Sequence, residues 1–183
     1  MFIKVYLQKV MRIINFLAVI LIAILFFSSC RKIEKLSSVP HIEFTRFTVF
    51  DTTTILGAYK AGRLVFYFED GDGDVGLEAP TGYQTDTTDL FLGLFRKKGG
   101  VMDTITDKND PLLPYSSYRI PYMERTGVNK ILKGYISLTF LYLSYSSGDT
   151  IKYDFYIKDR ALNESNVAST REIVVSYDST YKK

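Results

Sequence analysis

The chain has 183 residues, with 23 Lys and Arg, 20 Asp and Glu, and one Cys. Its first 29 residues hold three of the basic side chains and none of the acidic ones, so 20 of each sign remain in the rest. This balance argues against a nucleic-acid partner, which would require a basic stripe on the folded domain. A single Cys also excludes a disulfide within the chain.

The N-terminal segment has the pattern of an export signal. Lys4, Lys9 and Arg12 precede an apolar run over residues 13–27, after which come two serines and the Cys. A basic start, an apolar run of about 7–15 residues and small residues at the cleavage point are typical of a signal peptide. A membrane-spanning anchor is the alternative, but it needs about 20 apolar residues. We therefore expect residues 1–29 to be a removable signal helix.

The signal ends in a sequence that resembles the bacterial lipobox, Phe27-Ser28-Ser29-Cys30. Phe27 stands where that pattern usually has Leu. The resemblance implies that cleavage occurs before Cys30, whose thiol then carries the lipid that anchors the protein to a membrane. An ordinary secretory signal with a chance Cys is the alternative. Residues 30–39 would be the lipidated Cys and a tether, and residues 40–183 the folded domain.

Beyond Pro40, apolar and polar residues alternate, as is typical of half-buried antiparallel strands. Residues 151–158 are the clearest case, because every second side chain is large and apolar. Turn residues separate the alternating segments, and the domain has no long apolar repeat of helical period. The pattern predicts seven strands, over residues 42–50, 63–69, 90–97, 115–122, 130–145, 151–158 and 170–177. We expect an all-β fold, an immunoglobulin-like antiparallel β-sandwich of about seven strands after the signal helix, with an open barrel as the competing architecture.

An acidic loop follows the second predicted strand. Asp70, Asp72 and Asp74 alternate with glycines, a spacing that lets three carboxylates curl around one cation. Asp oxygens are hard ligands that suit Ca²⁺, and glycine permits the tight backbone. The spacing matches the start of an EF-hand loop, but Val75 replaces its Gly and Thr81 its bidentate Glu. Further oxygens must come from elsewhere, and a plain solvated Asp-Gly turn is the alternative.

Strand direction points to one such oxygen donor. If the seven strands alternate in direction, the second and the sixth run the same way, and the loops after them emerge at the same end. The loop after the sixth strand begins with Asp159. We therefore predict a Ca²⁺ site formed by Asp70, Asp72, Asp74 and Asp159, with carbonyls and waters completing the shell. One extra strand between the two loops would reverse this geometry.

The stretch from Asp159 to Ser165 resembles the Asp-x-Ala-Gly-Asn-x-Ser sequence before the last strand of many bacterial immunoglobulin-like domains, with Leu162 in the place of Gly. Together with the acidic loop and the lipobox, it makes the chain similar to single-domain immunoglobulin-like lipoproteins of Bacteroidota. The resemblance implies a fold and a compartment, but no reaction. Because no acidic run follows Cys30, it also implies the cell envelope, on the outer membrane and facing the periplasm.

The residues for catalysis are sparse. His41 is the single histidine, no Ser stands in a Gly-x-Ser-x-Gly context, and no His and Cys have zinc-site spacing. Paired carboxylates for glycoside hydrolysis stay possible by count alone. We expect no enzyme, but an envelope lipoprotein that serves as a binding or structural accessory module, docking on an envelope protein complex. The alternative is a module that binds a glycan or another ligand, for which outward tyrosines such as Tyr67 and Tyr156 would have to cluster on one face.

Overall fold

The computed structural model describes residues 11–18, 20, 35–55, 57–81, 88–105, 110, 112, 116–124 and 130–183. The chain forms two units, Met1–Lys35 and Leu36–Lys183. In the first, residues 11–18 are helical. Among the described residues, no helix combines the length and the apolar character needed to cross a bilayer. Cys30, the predicted lipidation site, lies outside the described residues.

The second unit is built from strands. The described residues form ten of them: β1 (His41–Thr54), β2 (Gly57–Asp70), β3 (Leu90–Lys98), β4 (Val101–Thr104), β5 (Ser117–Tyr118), β6 (Leu132–Tyr142), β7 (Thr150–Ile157), β8 (Ala168–Ser169), β9 (Ile173–Val174) and β10 (Ser179–Lys182). One sheet has the order β10-β1-β2-β6, and the other has the order β4-β3-β7-β8, with β5 paired to β3 and β9 to β7. All of these pairs are antiparallel.

This division of the strands confirms the predicted immunoglobulin-like sandwich. In such folds strands A, B and E share one sheet and strands C, F and G the other. Here β1, β2 and β6 take the first set of positions, and β3, β7 and β8 take the second. The protein therefore has two packed sheets rather than a closed barrel.

The inward side chains of both sheets form the core, as the alternation predicts. In β7 the burial alternates residue by residue, with Tyr153 and Phe155 fully buried. The ring of Phe155 lies 5.1 Å from that of Phe66 in β2. The hydroxyls of Tyr142 and Tyr153 are 3.0 Å apart and buried, so they hydrogen bond across the sandwich. Burial raises the pKa of both phenols, which stay neutral and available as donor and acceptor.

Three features of the strands differ from the sequence prediction. β4 and β10 were not predicted, since the first is mostly exposed and shows no apolar alternation. The predicted strand over residues 170–177 is interrupted, and only Ile173 and Val174 pair within it. The cause is Thr170, whose Oγ1 accepts a hydrogen bond from the backbone N–H of Tyr153 over 3.0 Å. The Thr170 hydroxyl thus accepts the hydrogen bond that a backbone carbonyl would accept in a regular strand. This interruption of the backbone pairing separates β8 from β9.

Strand directions assign each loop to one of two ends of the sandwich. At the acidic end, β2 ends at Asp70, opposite the start of β6, and β7 ends at Ile157, opposite the start of β3. At the hairpin end, β1 turns into β2, β3 turns into β4, and β6 ends at Tyr142, opposite Lys60. The loops after β2 and β7 therefore emerge together, as predicted, although β4 and β5 intervene in the chain. β4 and β5 both pair antiparallel with β3, so they run in the same direction as each other. Together they count as one reversal of the chain, and β2 and β7 therefore still run the same way.

Candidate functional site

The acidic loop folds around the side chain of Asp70. This residue is fully buried, and its Oδ2 accepts hydrogen bonds from the backbone N–H groups of Asp74 at 2.8 Å and Val75 at 3.3 Å. Gly73 has φ of 70°, a conformation that glycine adopts without strain. The loop is therefore a fixed structure closed by its own first carboxylate rather than an open turn.

The loop after β7 is closed in a similar way by Asp159. Its Oδ1 accepts from the backbone N–H of Asn163 at 2.7 Å, and its Oδ2 accepts from the Asn163 side-chain amide at 2.8 Å. Ser165 ends the loop, because its Oγ accepts from the backbone N–H of Ile157 at 3.0 Å. Leu162 has φ of 67°, which is the left-handed conformation that glycine adopts without strain.

The two loops are in direct contact. Val75 and Asp159 form an antiparallel bridge, and the backbone N–H of Ala161 donates to Oδ2 of Asp74 at 3.1 Å. One carboxylate oxygen each from Asp70, Asp74 and Asp159 lies within 4.8 Å of the others. The structure thus brings together three of the four residues that the sequence analysis assigned to a metal site. We call these three the carboxylate trio.

Asp72, the fourth predicted ligand, lies outside the trio and is exposed. Its carboxylate is nonetheless close enough to act on Asp70. The pKa of Asp70 is raised to about 6, mainly by burial and also by the carboxylates of Asp72 and Asp74, although the backbone N–H of Asp74 lowers it. Burial and the Asp159 carboxylate raise the pKa of Asp74 as well. Negative charge is therefore concentrated at this point, and it favours a positive partner.

A basic side chain beside the trio, that of Arg160, is directed mainly elsewhere. Its guanidinium donates to the carbonyl of Gly76 at 2.8 Å and lies 4.8 Å from the ring centroid of Tyr122. It lowers the pKa of Asp74, but less than burial and the other carboxylates raise it. The trio can accommodate either a shared proton or a hard cation.

The chain enters the sandwich beside the acidic loop. The backbone N–H of Gly71 donates to the carbonyl of Ser37 at 2.8 Å. A Cβ on Gly71 would stand 2.4 Å from the carbonyl oxygen of Leu36, so only glycine fits there. The end of the predicted tether, from Leu36 onward, is therefore part of the domain and lies against the acidic end.

The hairpin end carries a different set of side chains, which sequence reasoning did not single out. Ile55 at the tip of the β1–β2 hairpin is fully exposed, and so to a large extent are several other apolar residues of this end: Val101, Leu143, Tyr145 and Tyr177. In the same part of the domain, buried Lys60 in β2 joins β1 to the segment just before β10. Its Nζ lies 2.7 Å from Asp51 Oδ1 and also hydrogen bonds Asp178, which raises its pKa. A signal was present in the sequence, since Ile55 is an apolar residue within a turn.

The tyrosines that a glycan platform would need do not share a face. Tyr67 belongs to the first sheet, where its ring meets that of Tyr135 edge-on with centroids 5.5 Å apart. Tyr156 belongs to the second sheet and stacks on Phe91 at 5.0 Å. Each ring therefore has an aromatic neighbour within its own sheet, and the two do not form one surface.

An open groove of about 400 Å³ runs beside the first half of β1. It includes His41, whose Nε2 is 3.6 Å from a carboxylate oxygen of Glu43. Glu43 also hydrogen bonds Lys183, which lowers its pKa. These are exposed ion pairs of the kind that contribute little to stability, and no hydroxyl or thiol nucleophile is hydrogen bonded to His41 among the described residues.

Comparison with protein-family models, curated proteins and solved structures finds no significant match.

Proposed function

We propose that this protein is a non-catalytic, lipid-anchored module of the cell envelope that docks on a partner protein through the hairpin end of its sandwich. One observation carries the proposal: Ile55, Leu143 and Tyr177 are largely exposed in loops at the end opposite to the one where the chain enters the domain. Large apolar side chains that loops expose to solvent are candidates for contact with another protein.

The position of the entry segment indicates which end of the sandwich would lie away from the membrane. Ser37 is held against Gly71 at the acidic end, seven residues after Cys30 in the chain. β2 has 14 residues and spans about 45 Å at the usual rise per residue of a strand. A lipid on Cys30 would thus keep the acidic end near the membrane, while the hairpin end reaches outward toward a partner.

The chemistry of the hairpin end suits a protein partner. Its exposed side chains, Ile55, Leu143 and Tyr145 among them, lie on turns that a groove of another protein can receive. Tyr is enriched at protein interfaces, because its ring buries apolar area while its hydroxyl keeps a hydrogen-bond partner. Buried Lys60, paired with Asp51 and Asp178, holds the base of the β1–β2 hairpin, which carries Ile55 at its tip.

We place the protein on the outer membrane, facing the periplasm, because Arg31 and Lys32 rather than acidic residues follow Cys30. Protease treatment of intact cells tests the location. We expect the domain to resist digestion until the outer membrane is opened, and digestion in sealed cells would place it on the surface instead.

Affinity capture tests the docking surface. The tagged full-length lipoprotein is recovered from detergent-solubilised membranes and its co-purifying proteins are identified. We expect Ile55→Asp combined with Leu143→Asp to lose the specific partner, because both changes put charge into the apolar contact. Val167→Asp is the control, since Val167 is about as exposed as Leu143 but lies near the acidic end. A partner that stays bound to the double variant and leaves with Val167→Asp would contradict the proposal.

A further inference from the structure

We propose that the carboxylate trio binds one divalent cation of the hard, oxygen-seeking kind, Ca²⁺. The site joins the loop after β2 to the loop after β7 at the acidic end. This inference is independent of the docking surface, which lies at the other end of the sandwich.

The first support is an unused oxygen on a buried side chain. Asp70 is fully buried, and its two backbone donors both bind Oδ2. Its Oδ1 is buried with no hydrogen-bond partner, and the same holds for Oδ1 of Asp74, whose Oδ2 accepts from Ala161. Buried polar atoms are almost always paired. Two buried carboxylate oxygens without partners, on two residues of one cluster, are therefore explained by a bound ligand.

The second support is the way each carboxylate is held. Backbone N–H groups orient Asp70 and Asp74, and Asn163 orients Asp159 through both of its oxygens. A carboxylate oxygen that accepts one hydrogen bond keeps a further lone pair. These hydrogen bonds orient the carboxylates, as hydrogen bonds to the ligands do around bound metals in general. They also leave lone pairs available for a cation.

The chemistry of the ligands favours Ca²⁺. All three are carboxylates, and Ca²⁺ takes six to eight oxygens in flexible geometry at about 2.3–2.6 Å. The remaining positions would be filled by water or carbonyl groups, and the exposed Asp72 carboxylate adds negative charge close to Asp70. Mg²⁺ requires a stricter octahedral shell, and soft metals prefer the sulfur and nitrogen ligands that this site lacks among its described residues.

Two measurements on the detergent-solubilised full chain test the site. Thermal unfolding is followed in chelator and in millimolar Ca²⁺. Because the trio exists only in the folded state, we expect the Tm to rise by roughly 5 °C or more when Ca²⁺ is about 100-fold above its Kd. Tb³⁺ is the direct probe, since excited tyrosines such as nearby Tyr122 transfer energy to a bound lanthanide. We expect Tb³⁺ emission that Ca²⁺ displaces.

Three variants decide where the ion binds. Asp74→Asn and Asp159→Asn keep the shape of the side chain and remove one charge from each loop, so we expect each to lose the Ca²⁺-dependent shift and the Tb³⁺ signal. Their melting in chelator shows that they fold. Asp103→Asn, an exposed site on β4, should respond as the unchanged protein does. A Tm that is the same in chelator and in Ca²⁺, or a Ca²⁺-dependent shift that both trio variants retain, would overturn the proposal. The three carboxylates would then share a proton instead of binding a cation.

Discussion

The side-chain amide of Asn166 forms two hydrogen bonds with the backbone of Ile42. Its Oδ1 accepts from the Ile42 N–H at 2.9 Å, and its Nδ2 donates to the Ile42 carbonyl at 2.9 Å. Asn166 lies just before β8 in the second sheet, whereas Ile42 lies near the start of β1 in the first. Since β10 pairs only with the part of β1 from Arg46 onward, Asn166 takes the place of a neighbouring strand and joins the two sheets.

Asn166→Ala should therefore destabilise the domain by about 1–3 kcal/mol, because it removes two hydrogen bonds and leaves partly buried backbone groups unpaired. Asn166→Asp should be at least as harmful, since a carboxylate cannot donate to the Ile42 carbonyl. Urea unfolding at neutral pH measures both. Ser169→Ala, which removes only an exposed hydroxyl contact with Asp154, should change the free energy of unfolding by less than about 1 kcal/mol. Equal effects at Asn166 and Ser169 would contradict the role given to the amide.

Leu162→Gly is expected to be neutral or to stabilise the protein by up to about 1 kcal/mol. The left-handed conformation of Leu162 destabilises the folded state by about 1–2 kcal/mol for a residue with a Cβ. Glycine avoids this strain, but it also gives the unfolded chain more conformational freedom, which offsets part of the gain. Little packing is lost, because Leu162 is mostly exposed. Leu162→Val should destabilise, since branching at Cβ makes positive φ less accessible. Denaturant unfolding compares the two, and a Gly variant less stable than the Val variant would refute the argument.

Asp89 should make the stability depend on pH. It is buried, its Oδ1 accepts from the Ile120 N–H at 2.6 Å, and burial raises its pKa to about 6. Between the ordinary Asp pKa and this value the folded protein holds a proton that the unfolded chain has lost. The contribution of Asp89 to the free energy of unfolding therefore falls as the pH rises from about 4 to 6.

Asp89→Asn removes this dependence. We expect the difference in stability between the variant and the unchanged protein to move in favour of the variant by about 2–3 kcal/mol between pH 4 and pH 7. Urea unfolding across this range measures it. Asp103→Asn, which replaces an exposed carboxylate, should show no such trend. A constant difference between the Asp89 variant and the unchanged protein would show that Asp89 is ionised throughout.

Cys30→Ala should leave the precursor without lipid and block lipoprotein-type cleavage, since the thiol is the attachment point in the lipobox that this sequence resembles. Mass spectrometry of the N-terminus of the protein from membranes provides the measurement. Ser29→Ala keeps a small residue before the Cys and should be processed normally. A mature N-terminus at another residue, without acyl groups, would point to an ordinary secretory signal.

Most of the fold follows from local pattern. A strand places successive side chains on opposite faces, so the alternation through Tyr153 and Phe155 is enough to assign their faces and to predict the sandwich. Interruptions of the ladder depend on a distant partner instead. Thr170 interrupts the backbone pairing because its hydroxyl, and not a backbone carbonyl, accepts from the Tyr153 N–H. Nothing in the neighbouring sequence distinguishes it from other strand threonines.

The candidate site divides in the same way. Sequence alone supplied the candidate carboxylates, because the Asp and Gly spacing after β2 and the Asp159 stretch are local features, and it predicted their common end, because strand directions alternate. Only the tertiary structure decided which carboxylates meet. It buries Asp70, turns Asp74 toward the second loop and leaves Asp72 in solvent, since the backbone N–H groups of Val75 and Ala161 orient the side chains. The burial that leaves two carboxylate oxygens without partners arises from packing two loops that are far apart in the chain.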